Sequence, residues 1–495
     1  MKNGFSTLVL LLSLLFNVTA GEPVLVGDTA VRIDQWLQQL EKEKHFSGGV
    51  LVMSKGATIL RKGSGWANQA QRIPFDERTL ACMGSITKTF TAMAVLKLEE
   101  QGKLKVTDTL GKFFSKVPSD KSGITLHQLM THSGGFAEIF ENDGGDYAKL
   151  TKEEFLQRAF REPLMYQPGS RSLYSNVGMS VAAAVIEEVS HQSFESFVRN
   201  ELLQPIGIGD IAYDYPDSET RRIAHGYDQG TDWGTLMDRY REFGGPYWNL
   251  YGNGGFYASI SAMETFLRAI LDEKILTPAA IAKQQTKHIE EWDTEGRSFF
   301  GYGCALGQSR RGTPVIQNGG SNGIYFADML IYPKDDVALY VVTNDNRMIA
   351  NRVMAGITQL VFLGKIEQDP LVVQARFESP LAEAMYDAIG KRGAAEFRKN
   401  GNGLIDSLGV GDNDMILLEV GQQLSRENRR EETIALYELY TQRYPSIVIA
   451  WNDLGDAYRA VGRKTDARRC YEQALKLRPG NPRATEALKM LQKTE

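Results

Sequence analysis

Ser85 and Lys88 are spaced three residues apart, and the chain contains no other Ser-x-x-Lys sequence. A serine hydroxyl becomes a nucleophile when an adjacent base accepts its proton. Residues i and i+3 share one face of a helix, so the Lys88 amine can reach the Ser85 hydroxyl. Lysine is a base only if burial or a neighbouring cation lowers its pKa from about 10.4. The spacing predicts a nucleophile and its base, although a helix-capping serine beside a solvated lysine fits the same residues.

A buried helix is needed to hold this pair, and the surrounding sequence predicts one. Gly84 and Ser85 stand before an apolar run at residues 90–98, which ends at Gly102. This pattern is typical of a helix whose first turn carries Ser85. Backbone N–H groups in a first helical turn have no partner within the helix, so Ser85 is predicted to lie among free donors.

Tyr174 and Asn176 are the best candidates for the other polar groups of such a site. Three Tyr-x-Asn sequences occur, at residues 174–176, 247–249 and 251–253. The first follows a Pro-Gly turn and leads into an apolar helical pattern, which singles it out. A tyrosine titrates near about 10, so Tyr174 can accept a proton only while a cation such as Lys88 favours its phenolate. A core tyrosine before a helix is the other interpretation.

Periodicity elsewhere predicts the scaffold. Residues 31–46 show helical spacing of apolar residues, and residues 49–54 and 57–62 predict a hairpin. Residues 85–243 show mostly helical and polar-loop patterns, and a further helix is predicted at 349–362. Strand patterns return at residues 299–306, 314–317, 325–332 and 337–343. The sequence therefore predicts an α+β fold, with one antiparallel sheet assembled from both ends of this span, flanking helices and an all-helical insertion.

Composition and the chain start bound the functional class. The 495 residues are 42% hydrophobic and 24% charged with a net charge of −5, which does not suggest a nucleic-acid surface. Lys2, an apolar run at residues 8–16 and Ala20 are typical of a cleaved signal peptide at residues 1–20. No later segment predicts a transmembrane anchor. We expect an exported protein, periplasmic or secreted.

The cysteines and histidines do not predict a metal or cofactor. Cys82, Cys304 and Cys470 allow at most one disulfide bond, and the sequence leaves open whether any two of them pair. His127 and His132 lie five residues apart, whereas a zinc ligand pair usually needs helical spacing and a third partner.

The C-terminal part has helical composition and a repeat. The tetratricopeptide pattern is matched by Trp451, Leu454, Gly455, Tyr458, Gly462, Ala467, Tyr471, Ala474 and Pro479. A weaker copy lies one repeat earlier, and residues 482–493 predict a capping helix. Two repeats are fewer than the three usually needed for stability. We therefore expect residues 380–412 to supply degenerate helices, or the repeats to pack against the preceding domain.

Four motifs, in one order, resemble the serine β-lactamase-like hydrolases. They are Met83-Gly84-Ser85-Ile86-Thr87-Lys88, the segment 124–135 ending in His132-Ser133-Gly134-Gly135, Pro168-Gly169-Ser170 with Tyr174-Ser175-Asn176, and Gly254-Gly255-Phe256-Tyr257-Ala258-Ser259. The chain is most similar to the branch containing class C β-lactamases, D-alanyl-D-alanine peptidases and esterases. The resemblance covers roughly residues 30–365 and implies the same α+β fold.

The resemblance also implies roles for individual residues. Ser85 would attack a carbonyl, while Lys88 and Tyr174 would share the proton. Asn176 would hydrogen-bond the substrate and the lysine. The oxyanion hole would be formed by the backbone N–H groups of Ser85 and Ser321.

One family motif departs from its usual form. The family has Lys or His, any residue, then Gly, whereas this chain has Asn318-Gly319-Gly320-Ser321. Asn318 lacks the positive charge, so recognition of a substrate carboxylate is in doubt, and the balance shifts from β-lactamase toward peptidase or esterase. Arg347 is a candidate to restore that charge; the alternative is a solvated arginine at a helix start.

These observations lead to one hypothesis and one alternative. We predict an exported serine hydrolase that acts through an acyl-enzyme on a small-molecule or peptide substrate, an amide or ester, without cofactor. The alternative is a catalytically decayed scaffold whose repeats bind a protein partner. The predicted segments are a signal peptide at 1–20, a hydrolase domain at 21–365, a helical connector at 366–412 and a repeat domain at 413–495.

Overall fold

A computed structural model of the protein describes most of the chain, including the surroundings of Ser85. The described residues are 24–44, 46–140, 148–292, 294–367, 377, 379–411 and 413–493. The predicted signal peptide at residues 1–20 lies outside them, as does part of the predicted connector.

Strands occur at both ends of the first 345 residues and are sparse between them. The strands of the described residues are β1 (Val24–Leu25), β2 (Gly48–Ser54), β3 (Ala57–Ser64), β4 (Trp66–Asn68), β5 (Ile73–Pro74), β6 (Ala81–Cys82), β7 (Ile211–Ala212), β8 (Gly226–Asp228), β9 (Thr231–Gly234), β10 (Tyr257–Ala258), β11 (Ile289–Glu290), β12 (Ser298–Phe300), β13 (Ala305–Gln308), β14 (Pro314–Ser321), β15 (Phe326–Tyr332) and β16 (Val337–Thr343).

Helices fill the middle of the chain and all of its C-terminal part. Those of the described residues are α1 (Gly27–Lys44), α2 (Thr87–Glu100), α3 (Leu110–Phe113), α4 (Ser119–Ser122), α5 (Leu126–Met130), α6 (Lys152–Arg161), α7 (Asn176–Ser190), α8 (Phe194–Val198), α9 (Leu236–Phe243), α10 (Ile260–Leu271), α11 (Pro278–Gln284), α12 (Ala350–Leu363), α13 (Pro380–Ser407), α14 (Met415–Arg426), α15 (Arg430–Arg443), α16 (Val448–Ala460), α17 (Lys464–Leu477) and α18 (Pro482–Lys493).

The predicted α+β class is confirmed by a large antiparallel sheet. Within the described residues its nine strands follow the order β1-β3-β2-β16-β15-β14-β13-β12-β11. The early strands and the late strands of this sheet meet where β16 pairs with β2, with Tyr340 opposite Leu51. Helices α2 to α11 lie between the two strand groups in sequence, and the short strands β4 to β10 lie there too, so the predicted insertion is mainly helical.

One predicted strand is wrong. Residues 299–306 form the ends of two strands, β12 and β13, joined by a turn. Gly303 in that turn has a φ of +65°, and a Cβ there would lie 2.5 Å from the backbone oxygen of Lys88. The close approach to α2 sets the turn, and a strand pattern alone does not contain that information.

Alternate residues of the central strands pack on opposite faces of the sheet. Val50 and Leu339 join a core formed with α1 and α12. Leu51 and Tyr340, one residue further along each strand, join the larger core formed with α2, α7 and α10. Both faces of β2 and β16 are covered, so these strands read as continuous apolar runs.

The repeat pattern corresponds to paired helices. Helices α14 with α15 and α16 with α17 form two hairpins, and α18 follows as a cap. Gly421 and Gly455 occupy equivalent positions, since a Cβ would lie 2.4 Å from Tyr437 in the first hairpin and 2.6 Å from Tyr471 in the second. Small residues at these positions let the paired helices pack closely.

Both expectations for stabilising a short repeat array are met. Helix α13, which contains a non-helical kink at Gly393, contributes Phe397 and Ile405 to the hydrophobic core of the repeats. The array also contacts the sheet domain, where Arg478 pairs with Glu290. None of the helices in the described residues is both long and apolar enough to cross a membrane.

Candidate active site

Ser85 lies in a short 3-10 turn, Gly84–Ile86, that leads directly into α2. Gly84 has a φ of +52°, and a Cβ at this position would lie 2.5 Å from the backbone nitrogen of Ser321. A Cβ on Gly320 would lie 2.0 Å from the backbone oxygen of Met83. The turn and strand β14 therefore touch through two glycines, which brings the backbone of Ser85 beside that of Ser321.

Lys88 is buried in the first turn of α2 and points at Ser85. Its Nζ donates to the Ser85 Oγ at 2.9 Å and to the backbone oxygen of Asn253 at 2.7 Å. The Asn253 side chain is itself fixed, because its Nδ2 donates to the Oγ of Ser180 and the backbone oxygen of Asn249. The amine is thus held against the serine from a rigid loop.

Tyr174 faces the same amine from the segment before α7. The Nζ of Lys88 lies 4.7 Å from the centre of the Tyr174 ring. Ser175, the next residue, caps α7 by accepting from the N–H of Gly178 at 2.9 Å. The cap fixes the direction in which the chain enters the helix and hence the position of Tyr174.

His132 bonds to the residue before Tyr174 and to the residue after it. Its backbone oxygen accepts from the N–H of Leu173 at 2.9 Å, and its Nδ1 accepts from the N–H of Ser175 at 3.1 Å. The two aromatic rings lie 4.6 Å apart. Burial, helped by the charge of Lys88, lowers the pKa of His132 to about 3, so the ring is neutral and its Nε2 carries the proton.

Three of the other residues predicted for the site share one cleft with Ser85 and Tyr174. Asn176, Gly320 and Ser321 line a cleft of about 410 Å³ together with Ser85 and Tyr174. The Oδ1 of Asn176 is buried without a hydrogen-bond partner among the described residues.

Asn318 lines a smaller, adjoining cavity of about 230 Å³. Its Nδ2 donates to the Oγ1 of Thr89 and, at 3.0 Å, to the backbone oxygen of Gly303. The amide therefore ties β14 to α2.

Arg347 is not among the residues lining either cavity. Its Nη2 lies 2.5 Å from the Oδ2 of the buried Asp345, and its backbone N–H also donates to this carboxylate. The hydrogen bonds that the guanidinium donates to Asp345 raise the pKa of Arg347. The structure thus gives Arg347 a partner outside the cleft.

The sequence analysis missed two acids that line the larger cavity, the buried Asp328 and the exposed Glu138. Asp328 on β15 lines the larger cavity, is 5% exposed and has no hydrogen-bond partner for Oδ1 among the described residues. Burial raises its pKa to about 7, although a hydrogen bond from the N–H of Met329 acts in the opposite direction. The sequence signal that could have identified Asp328 is its position as the single acid in the otherwise apolar strand β15.

Cysteines and possible metal ligands lie apart from one another. Cys82, Cys304 and Cys470 are buried and free. His127 pairs with the hydroxyl of Tyr302, at 2.9 Å, and not with His132. In the part of the chain that the structure covers, no three His, Cys, Asp or Glu side chains are grouped to hold a metal ion.

The fold is shared with penicillin-binding proteins and β-lactamases. Residues 33–361 match the family described as Beta-lactamase, and the chain belongs to that family. Residues 448–481 match the Tetratricopeptide repeat family.

Two curated relatives are similar to parts of the chain. PbpX of Bacillus subtilis, provisionally named a penicillin-binding protein, is 28% identical over 268 residues, which are 54% of this chain and 65% of PbpX. Protein flp of Staphylococcus aureus (strain N315) is 24% identical over 210 residues, 41% of this chain and 42% of flp. The chain thus spans less than two thirds of the length of either relative.

Solved structures show the same fold. An octameric penicillin-binding protein homologue from Pyrococcus abyssi has a TM-score of 0.60 at 23% identity, covering 72% of this chain and 81% of its own. A Beta-Lactamase/D-Alanine Carboxypeptidase from Pseudomonas syringae has a TM-score of 0.58 at 15% identity, covering 69% of this chain and 100% of its own. At these identities the likeness extends to the fold alone.

Proposed function

We propose that the protein hydrolyses an amide or ester through an acyl-enzyme on Ser85. The observation that carries this proposal is the 2.9 Å hydrogen bond from the Lys88 Nζ to the Ser85 Oγ, beside the ring of Tyr174. A nucleophile in contact with a candidate base is the first requirement of covalent catalysis. The alternative of a decayed scaffold is disfavoured, because every member of this cluster is present and in contact.

The proposed reaction has two steps. In the first, the Ser85 Oγ attacks the substrate carbonyl, and its proton passes to the Lys88 and Tyr174 pair. The same pair then protonates the leaving amine or alcohol as the carbonyl bond to it breaks. In the second, water loses a proton to the pair, attacks the acyl-enzyme and releases the acid, which restores Ser85.

The transition state of each step carries negative charge on the former carbonyl oxygen. We assign its stabilisation to the backbone N–H groups of Ser85 and Ser321, which the contact of Gly84 with β14 brings together. Removing one such donor typically costs about 2.7 to 4 kcal/mol. Since the groups are backbone amides, the replacement of the usual cation by Asn318 leaves them in place.

The proposed substrates are peptides of the peptidoglycan type or small acyl compounds. The names of the similar proteins, a penicillin-binding protein and a D-alanine carboxypeptidase among them, support this class. The apolar run and small residues within 1–20 support export to the compartment where such substrates occur. Protein binding by the repeats remains a prediction from their family.

Covalent labelling tests the proposal. The purified protein is incubated separately with a fluorescent penicillin and a fluorophosphonate probe, alongside Ser85→Ala and the control Ser170→Ala. Ser170 is exposed, and its hydroxyl donates to the backbone oxygen of Gln167 nearby. We expect label in the parent protein and in Ser170→Ala, and none in Ser85→Ala. Folded protein that takes no label from either probe would contradict the proposal.

A further inference from the structure

We propose that Asp328 forms a subsite for an ammonium group, so that this hydrolase favours cationic esters or amides over neutral and carboxylate-bearing ones. This inference rests on the proposed function and names its substrate class. It starts from the position of a carboxylate, which the chemistry described above does not use.

Asp328 is close to the reacting centre by strand register. It pairs with Gly319 in the β14–β15 ladder, and Ser321 lies two residues further along β14. Strands rise about 3.3 Å per residue and neighbours lie about 5 Å apart, which places Asp328 on the order of 8 Å from the proposed oxyanion donor. A substrate bound at Ser85 can therefore reach Asp328 with a group several bonds from its carbonyl.

Gly319 leaves open space beside the side chain of Asp328. Directly paired residues of adjacent strands point to the same face, so a side chain at Gly319 would stand beside Asp328. A Cβ built on Gly319 meets no heavy atom within 4 Å, which shows open space at this point. The cleft continues there toward Ala350 and Asn351 at the start of α12.

The charges of the larger cleft favour a cation. Its lining includes the carboxylates of Asp328 and Glu138 and no Lys or Arg side chain among the described residues. Arg352 on α12 is exposed and outside the lining, and Arg347 is bound by Asp345. A substrate carboxylate would find no positive partner in this cleft, whereas an ammonium would find two negative ones.

A buried carboxylate without a partner is costly unless a ligand completes it. The Oδ1 of Asp328 is buried and accepts no hydrogen bond within the described residues. Buried charges in proteins are ordinarily paired. Burial raises the pKa of Asp328 to about 7, so the group is largely ionised at pH 8, and a bound ammonium would favour its charged form further.

Two pairs of substrates that differ only in charge test the subsite. The first pair is the p-nitrophenyl esters of 6-aminohexanoate and heptanoate, which differ in the acyl part. The second is butyrylthiocholine and 3,3-dimethylbutyl thiobutyrate, which differ in the leaving group. At pH 8 we expect kcat/KM to favour the cationic member of at least one pair about ten- to a hundredfold, as an ion pair between the ammonium and a buried carboxylate supplies.

Variants locate the preference. Asp328→Asn and Asp328→Ser should both reduce the ratio of cationic to neutral kcat/KM to about one, whereas Asp272→Asn, a control at a surface acid outside the cleft that pairs with Lys274, should keep it. Circular dichroism checks that each variant is folded, and two different replacements guard against loss of one of them. A parent protein without charge preference in either pair, or a preference that survives in both Asp328 variants, would overturn the inference.

The same assays separate this inference from the proposed function. Hydrolysis of the neutral esters and Ser85 labelling without a charge preference would overturn the subsite and leave the hydrolase. Absence of all hydrolysis and of all Ser85 labelling would overturn both.

Discussion

Asp453 in the repeats and Asp328 in the cleft are both buried carboxylates, and their surroundings are opposite. The Oδ1 of Asp453 lies 2.6 Å from the Nη2 of Arg483. Burial raises the pKa of Asp453, and the charges of Arg483 and Arg297 partly counter that rise. No such cation pairs with Asp328 among the described residues, and a backbone hydrogen bond from Met329 opposes the effect of burial on its pKa. A buried acid that supports the fold comes with its cation, whereas Asp328 faces a cavity.

The ion pair of Asp453 with Arg483 belongs to a cluster that also joins the repeats to the sheet domain. Glu295, in the turn between β11 and β12, accepts from the Nδ2 of Asn452, and its Oε2 lies 3.4 Å from the Nη1 of Arg483. The strand before this turn reaches the candidate active site, because the Oγ of Ser172 donates to the backbone oxygen of Glu290, the last residue of β11, at 2.6 Å. Ser172 is two residues from Tyr174, so the repeats brace the wall that carries this tyrosine.

The largest effect should come from removing the shared cation. Arg483→Ala leaves Asp453 and Glu295 buried without it, and breaking a buried pair costs several kcal/mol. Because Arg483 is 35% exposed, we expect a loss of about 2 to 4 kcal/mol in the free energy of unfolding of the repeats, measured by urea denaturation. The control Arg463→Ala breaks an exposed pair with Asp466 and should cost less than about 1 kcal/mol. Equal losses in the two variants would show that the buried ion pairs of Arg483 stabilise the repeats no more than an exposed pair does.

A smaller effect of opposite sign is expected at Asp328. The pKa of this group in the folded protein, about 7, is above its ordinary value of 3.8. The folded state therefore binds more protons than the unfolded state between these values, and Asp328 makes stability fall as the pH rises through this window. Asp328→Asn removes that penalty, so we expect a gain of about 1 to 3 kcal/mol at pH 8 and little change at pH 4.

Asp335→Asn provides the matched control. Burial acts to raise the pKa of Asp335, but hydrogen bonds from Arg311 and Thr313 outweigh it and lower the pKa. Its replacement should destabilise the protein at pH 8. Urea midpoints at both pH values measure the two variants, and destabilisation by Asp328→Asn at pH 8 would mean that Asp328 has a stabilising partner.

The smallest effect should be transmitted from the repeats to the cleft. Arg478 pairs with Glu290, whose backbone holds Ser172. Arg478→Ala should lower kcat about two- to fivefold on a neutral ester, with KM nearly unchanged, because Tyr174 is less well positioned. The control is Arg469→Ala, at an arginine that is 72% exposed on α17, the helix that Arg478 directly follows. This variant should have no effect on kcat. An unchanged kcat in Arg478→Ala would show that the contact between the two parts is only structural.

Periodicity predicted the scaffold well because it reports which face of an element is buried. The hairpin β2–β3, the pairing partners β15 and β16 and the helix α12 all fall close to their predicted positions. The error at residues 299–306 arose because Gly303 turns to avoid the backbone of Lys88, a contact between distant parts of the chain. Such contacts leave no periodic signal.

Residue type and spacing predicted the polar cluster only in part. Ser85, Lys88 and Tyr174 were singled out and do lie together, although their catalytic roles remain a proposal. The second acceptor of Lys88 is the backbone oxygen of Asn253, a group that every residue type carries. The sequence offers His132 as a possible metal ligand and as part of a family motif, and neither interpretation predicts that it holds the segment around Tyr174.

The central claim is that Ser85 becomes covalently acylated during turnover. Rapid acid quenching of the enzyme with p-nitrophenyl heptanoate, followed by intact-mass and peptide mass spectrometry, tests it most directly. We predict a heptanoyl adduct on the peptide that contains Ser85, formed before steady state and absent in Ser85→Ala. Steady-state hydrolysis that continues undiminished in Ser85→Ala, or an adduct on another residue, would contradict the account.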